Sequence, residues 1–220
     1  MSRIIFITAT DTDAGKTYVT LDVIRQLRAK HMRARAIKPV ACGINAHGCY
    51  DDLTTLLEAQ QLAQEDDINR YRFARASAPA QAAAEEECSL DPVALTQWCH
   101  RKAGDQDILL IEGIGGLMVP LAPRYLLHDW IQDLQPDEIW LVARCRLGAI
   151  NHTLLTLDKL QQTGHAPAHI ILNAVKTAET TYLKDMQHAL GAVAGCDKIH
   201  TLRTGESLNV REFFAEGEPS

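Results

Sequence analysis

Residues 3–17 read RIIFITATDTDAGKT. The apolar run 3–8 has the composition of a strand buried on both faces. A polar loop follows, and Gly15-Lys16-Thr17 leads into an amphipathic stretch, 17–30, whose Val19, Val23, Ile24 and Leu27 share one helical face. Strand, loop and helix with GKT at the junction is the context that makes a phosphate-binding loop credible. Gly15 lets the backbone approach a phosphate closely, and the helix start offers unpaired N–H groups at a positive dipole end. Lys16 supplies a point charge for terminal phosphates, and Thr17 a hydroxyl for Mg²⁺. The match is partial: the strict pattern needs glycine at position 10, where Thr10 stands. The competing reading is a capped helix with an exposed lysine.

Outward from this unit the chain repeats its rhythm. Apolar runs at 33–38, 107–111, 138–143 and 169–172 predict further strands. Amphipathic stretches at 51–64, 79–87, 92–102, 149–163 and 180–190 predict helices. The segment between the first two strands is long enough for a parallel crossover. Alternation of this kind implies a three-layer α/β fold, a mostly parallel sheet flanked by helices. With 220 residues and neither an internal repeat nor a low-complexity linker, the chain reads as one domain over residues 1–220. Residues 215–220 have little to bury and are expected to fray.

Composition excludes several classes. Hydrophobic residues make up 46% and charged residues 23%, an ordinary globular balance. Net charge is −6, and the one basic-rich stretch, residues 25–38, has no interleaved aromatics, so nucleic acid is not an expected partner. The six cysteines form no C-x-x-C and no zinc spacing; reduced thiols and a cytoplasmic location are expected. Residues 1–8 read as a strand rather than a signal peptide, and no apolar run reaches membrane-spanning length, so a soluble protein is expected. The nine histidines present no helical metal face.

In parallel α/β sheets ligands bind beyond the carboxyl ends of the strands, and several motifs fall there. Lys38-Pro39-Val40 ends the second strand, although a lone lysine there is usually just solvated. Glu112 follows the apolar run 108–111, where a carboxylate needs a partner and where P-loop proteins keep an acid for magnesium. Asp52 is either a second metal carboxylate or a helix cap. Gly113, Gly115 and Gly116 could turn backbone N–H groups toward an anion, or simply form a tight turn. Leu147 to His152 opens a second helix at the same rim, and so a second candidate anion site. Asn173 ends a strand with an amide able to read adenine, but asparagine is also a common turn residue there.

Taken together these motifs resemble dethiobiotin synthetase, over about residues 3–175. The family pattern G-T-D-T-x-x-G-K-T is matched by residues 9–17, K-P-V by 38–40, V-E-G-A-G-G by 111–116 with Pro120 following, and L-G-x-I-N-H by 147–152. The first and third patterns are shared with other P-loop amidoligases and partitioning ATPases; the combination is more specific. The resemblance implies a P-loop NTPase-like homodimer using ATP and Mg²⁺ on 7,8-diaminopelargonate and CO₂. It implies catalytic roles for Lys16, Lys38 and Thr12. Asp13, Ala14, Gly15, Lys16, Thr17 and Asn173 would hold ATP. Thr17, Asp52 and Glu112 would hold the metal. Cys42, Gly113, Gly115, Gly116, Gly148, Ala149, Ile150 and Asn151 would meet the substrate, the last four taking its far carboxylate. Ala9, Asp13 and Cys42 stand where the family usually has glycine, glutamate and serine. Ala9 must therefore adopt negative φ or be strained. The segment beyond Asn173 matches poorly, so neither the adenine loop near 201–206 nor an interface role for Tyr182 is carried over. Two rivals remain: a partitioning-type ATPase switch, disfavoured because residues 9–14 contain no lysine, and a nucleotide-binding protein without turnover.

Overall fold

The structure, a computed structural model, describes residues 2–194 and 198–214. Residues 215–220, expected to fray, and Cys196 lie outside them. The elements in chain order are β1 (Arg3–Ala9), α1 (Lys16–Ala29), β2 (Ala34–Ile37), β3 (Val40–Cys42), α2 (Asp51–Gln60), β4 (Tyr71–Phe73), α3 (Pro79–Glu85) and α4 (Pro92–Ala103). There follow β5 (Ile108–Glu112), β6 (Pro120–Ala122), β7 (Tyr125–Leu126), α5 (Leu127–Leu134), β8 (Glu138–Arg144), α6 (Ala149–Gln162), β9 (His169–Asn173), α7 (Leu183–Ala194) and β10 (Ile199–Leu202). Six strands form one sheet in the order β10-β9-β8-β1-β5-β2, every pairing parallel. This is the expected fold class.

The sheet is central because its strands are apolar on both faces. Along β8 and β9 alternate residues serve different cores. Leu141, Ala143, Ile170 and Leu172 pack with Leu157, Leu183 and Met186 of α6 and α7. Trp140, Val142 and Ile171 turn the other way, into the larger cluster that holds Val19, Val23 and Ile24 of α1. Phe6 of β1 meets Trp130 of α5 edge-on, ring centroids 5.2 Å apart.

Differences from the sequence reading have local causes. Helix α2 stops at Gln60 rather than running to 64, because Gln61 turns left-handed (φ 55°). The buried Gln60 amide then pairs with both backbone groups of Ala36, at 2.8 and 2.9 Å, and so covers part of the open side of edge strand β2. Helix α5 was not anticipated, although Leu127, Trp130, Ile131 and Leu134 carry the i, i+3, i+4, i+7 pattern. Strands β3, β4, β6 and β7, of two or three residues, are too short to show a period. Helix α7 begins at Leu183; residues 177–182 form a 3₁₀ turn instead. Ala9 sits fully buried in β1 without positive φ, so its replacement of glycine strains nothing.

At the amino ends of β8, β9 and β10 lies a polar relay that runs from the buried His169 out to the exposed Glu212. His169 Nδ1 and His200 Nε2 are 2.9 Å apart, and His200 Nδ1 is 3.1 Å from Glu212. Glu138 stands 4.0 Å from His169, and Trp140 and Phe213 pack against its ring. Burial first, then the neighbouring His200, pushes His169 down to about 4 from the ordinary 6.5. Below pH 6.5 the unfolded chain therefore takes up a proton that the folded chain refuses until about 4, and stability falls as pH drops through that window. His169→Gln should flatten this acid slope by up to about 1.4 kcal/mol per pH unit. Urea unfolding between pH 7 and 4.5 checks it; an unchanged slope contradicts it.

Candidate functional site

The loop between β1 and α1 is shaped by two left-handed residues, Asp13 (φ 58°) and Gly15 (φ 94°). Gly15 is required on two counts. Its φ disfavours a side chain, and a Cβ there would stand 2.0 Å from Asn173 Nδ2. Asn173, buried at the end of β9, donates that Nδ2–H to the Ala14 carbonyl at 2.9 Å. The residue expected to read adenine thus also grips the loop from below.

Lys16 is buried and donates to the carbonyls of Gly115 (2.8 Å) and Asp11 (3.3 Å). Burial, and next the charge of Lys38, pushes its ammonium down to about 8. Thr17's hydroxyl lies 2.7 Å from Glu112 Oε1 and 2.9 Å from Asp52 Oδ1; with one proton it donates to one of them at a time. Lys38, at the end of β2, pairs with Asp52 Oδ2 and, at 2.8 Å, with Glu112 Oε1. Burial would lower the Lys38 ammonium, but Glu112 and Asp52 outweigh it and hold the group above its ordinary value. Asp52 moves oppositely: burial opposes its ionisation, yet Lys38 keeps the carboxyl below the usual range. Asp52 is therefore no helix cap; Tyr50 holds that position and Asp52 turns to the site.

Glu112 Oε1 takes both Thr17 and Lys38, while its Oε2 is buried without a partner. An orphaned carboxylate oxygen beside a hydroxyl and a second carboxylate suits a hard divalent cation. Among the described residues no three His, Cys, Asp or Glu side chains gather into a metal cluster. Mg²⁺ needs no such cluster, since phosphate oxygens and waters complete its shell.

These groups face one cavity of about 930 Å³. One part is lined by Thr12, Asp13, Gly15, Lys16 and Thr17. Another holds Cys42, Tyr50, Ser77, Ile114 and Val119, with Lys38, Asp52 and Glu112 among the same walls. Burial pushes the half-buried Cys42 thiol up to about 12, so it stays protonated. Gly115 lines the cavity at φ 60°, and a Cβ there would press on Val119 at 2.6 Å. Gly113 and Gly116 do not line it. Gly113 donates its N–H to Ile7 and packs on Phe6; Gly116 packs against the Thr10 carbonyl. Gly148, Ala149, Ile150 and Asn151 lie outside it too. Leu147 is 86% exposed beside them, and nothing lies within 4 Å of where a Gly148 Cβ would stand.

Arg144 was missed. It ends buried strand β8 as Glu112 ends β5, and that shared signal could have found it. Its guanidinium lines the cavity, grips Glu179 at 2.7 and 3.0 Å, and reaches the Asp13 carbonyl at 3.5 Å.

A family model described as an AAA domain matches residues 3–210. The ATP-dependent dethiobiotin synthetase of Tolumonas auensis is 36% identical over 166 residues, 73% of each chain. That of Acidiphilium cryptum is 36% identical over 178 residues, covering 78% of this chain and 79% of the relative. The chain belongs to the ATP-dependent dethiobiotin synthetase family. Likeness to solved structures speaks to the fold alone. A ParA family ATPase from Chlorobium tepidum superposes with a TM-score of 0.57 at 11% identity, over 94% of this chain and 86% of that one. The septum site-determining protein MinD of Pyrococcus horikoshii gives 0.51 at 18% identity, over 90% and 79%. The synthetase match thus separates this chain from ATPases that share only its fold.

Arg144→Ala should weaken ATP binding several-fold, because Asp13 loses the cation that holds the loop crest and balances its carboxylate beside the phosphates. Glu179→Gln should give a smaller loss. Equilibrium titration with a fluorescent ATP analogue measures both; an unchanged Kd for Arg144→Ala contradicts the role.

Proposed function

We propose that the chain closes the ureido ring of dethiobiotin from 7,8-diaminopelargonate, CO₂ and ATP. The observation that carries this is the continuity of the phosphate loop with the walls around Lys38 and Cys42, which lets a nucleotide and a small diamine meet in one cavity. One amine captures CO₂ as a carbamate and releases a proton. A carbamate oxygen attacks the γ-phosphorus, the bond to ADP breaks, and a carbamic-phosphoric anhydride forms. The second amine attacks the carbonyl carbon and gives up a proton, phosphate leaves, and the ring closes. No protein atom forms a covalent bond; the chain contributes position and charge.

Lys16 holds the terminal phosphates and Lys38 faces the carbamate and the phosphoryl group in transfer. Thr12 lies beside the reacting oxygens. Thr17, Asp52 and Glu112 hold Mg²⁺, which supplies charge neutralisation for the triphosphate when bound. Asn173 does not line the cavity and one Nδ2–H is taken by Ala14, so any adenine contact would fall to its remaining N–H and its carbonyl oxygen. Cys42 and Gly115 line the diamine's path, and Gly113 and Gly116 shape that loop from behind.

The start of α6 lies outside its own chain's cavity, so for Gly148 to Asn151 to hold the substrate's far carboxylate they must come from a second copy. A homodimer is part of this proposal, and the exposed Leu147 and Leu155 (62%) supply apolar surface for it. The described cysteines are free, and no described helix is long and apolar enough to cross a membrane. A cytoplasmic location and a single P-loop unit over residues 1–220 are part of the same proposal.

Incubation with ATP, Mg²⁺, diaminopelargonate and ¹⁸O-bicarbonate tests the chemistry. One ¹⁸O should appear in the product's ureido carbonyl and one in released phosphate. Substrate-independent ATP hydrolysis would favour the switch ATPase, and no turnover the degenerate binder. Lys16→Ala should cost about 1.5–3 kcal/mol for each charge-assisted phosphate bond lost; full turnover in that variant would contradict the loop's role.

A further inference from the structure

Lys38 does not merely neighbour the metal carboxylates; it is bonded to them. Its Nζ contacts Asp52 Oδ2 and Glu112 Oε1, and Thr17's hydroxyl lies against the other Asp52 oxygen and the same Glu112 oxygen. The ammonium and a divalent cation would thus draw on the same two carboxylates. Glu112's side chain is 0% exposed and Lys38's 7%, so neither has bulk water as an alternative partner. Lys38 sits on Glu112 Oε1 and Asp52 Oδ2, so a divalent cation entering at the unpartnered Glu112 Oε2 would stand beside the buried ammonium and contend with it for the charge of the same two carboxylates.

We propose that Lys38 and the divalent cation compete for Asp52 and Glu112, and that loading the metal-nucleotide releases the Lys38 ammonium into the cavity to meet the anionic substrate. This rests on the metal reading given above and adds an order of events. Before loading, Lys38 is the partner that lets the Glu112 carboxyl stay buried. After loading, the metal takes over that duty, and the freed charge is available near Thr12 and Cys42, where the carbamate forms. The lysine is thereby delivered only when a phosphoryl donor is in place.

The test is Mn²⁺ binding to the full chain without nucleotide, read by electron paramagnetic resonance, for wild type, K38M and K16M. Lys16 is also a nearby cation but bonds to carbonyls rather than to these carboxylates, so K16M reports the general effect of removing one positive charge. K38M should bind Mn²⁺ at least tenfold more tightly than wild type, and K16M within threefold of it. Equal tightening in both variants, or none in K38M, overturns the competition while leaving the metal site standing. Failure of wild type and K38M alike to bind Mn²⁺, even with ATP added, overturns the metal reading and the competition with it. Should K38M be too unstable to titrate, its thermal unfolding keeps the question open to measurement. Mn²⁺ should raise its Tm by more than that of wild type, and an equal or smaller rise overturns the proposal.

Discussion

A carboxylate with no access to water must find its partners within the protein. Glu112 is such a group, set at the carboxyl end of a strand whose preceding residues are all buried. Its requirement organises the surrounding elements. The end of β2 brings Lys38, the first turn of α1 brings Thr17, and the first turn of α2 brings Asp52. One strand end and two helix starts are thereby held together at one rim of the sheet. The same contacts place the Lys38 ammonium and the Thr17 hydroxyl in one cavity, where Lys16, held by the Gly115 and Asp11 carbonyls, joins them.

Above that rim the loop crest is held from two sides. Asn173 draws on the Ala14 carbonyl from β9, while Arg144, fixed by Glu179, reaches Asp13 from β8. The crest contains a non-glycine residue at positive φ and a carboxylate beside the place where phosphates would sit. Both features are easier to retain with a cation beside them. Asp13, one methylene shorter than the family's usual glutamate, is thus accompanied by an arginine that the sequence reading passed over.

What could be read without coordinates follows from how local each signal is. The β1 strand, the loop and α1 are contiguous, and their apolar period, glycine and GKT lie in one window. Glu112 was readable because an acid that ends an apolar run is conspicuous; Arg144 obeys the same rule and was overlooked. Asp52 was undecidable, since a first-turn aspartate serves equally as cap or ligand, and only the arrival of Lys38 from 14 residues away in sequence separates the two. The cavity's wall at Tyr50 and Ser77 is built by three-residue strands and a short helix, whose patterns are too brief to register. The start of α6 was correctly read as a helix after a strand, but which cavity a helix end faces is a tertiary fact. Edge strand β10, IHTL, hides because His200 interrupts its apolar run to join the relay with His169 and Glu212.

The central claim is that Glu112, Asp52 and Thr17 form the cation site of a triphosphate held by Lys16. A crystal grown with Mn²⁺ and a non-hydrolysable ATP analogue tests it most directly through the metal's anomalous signal. The account predicts one peak bonded to Glu112 Oε2 and to the Thr17 hydroxyl, with the analogue's terminal phosphates at Lys16. Anomalous density away from Glu112, or a triphosphate bound elsewhere on the chain, would contradict it.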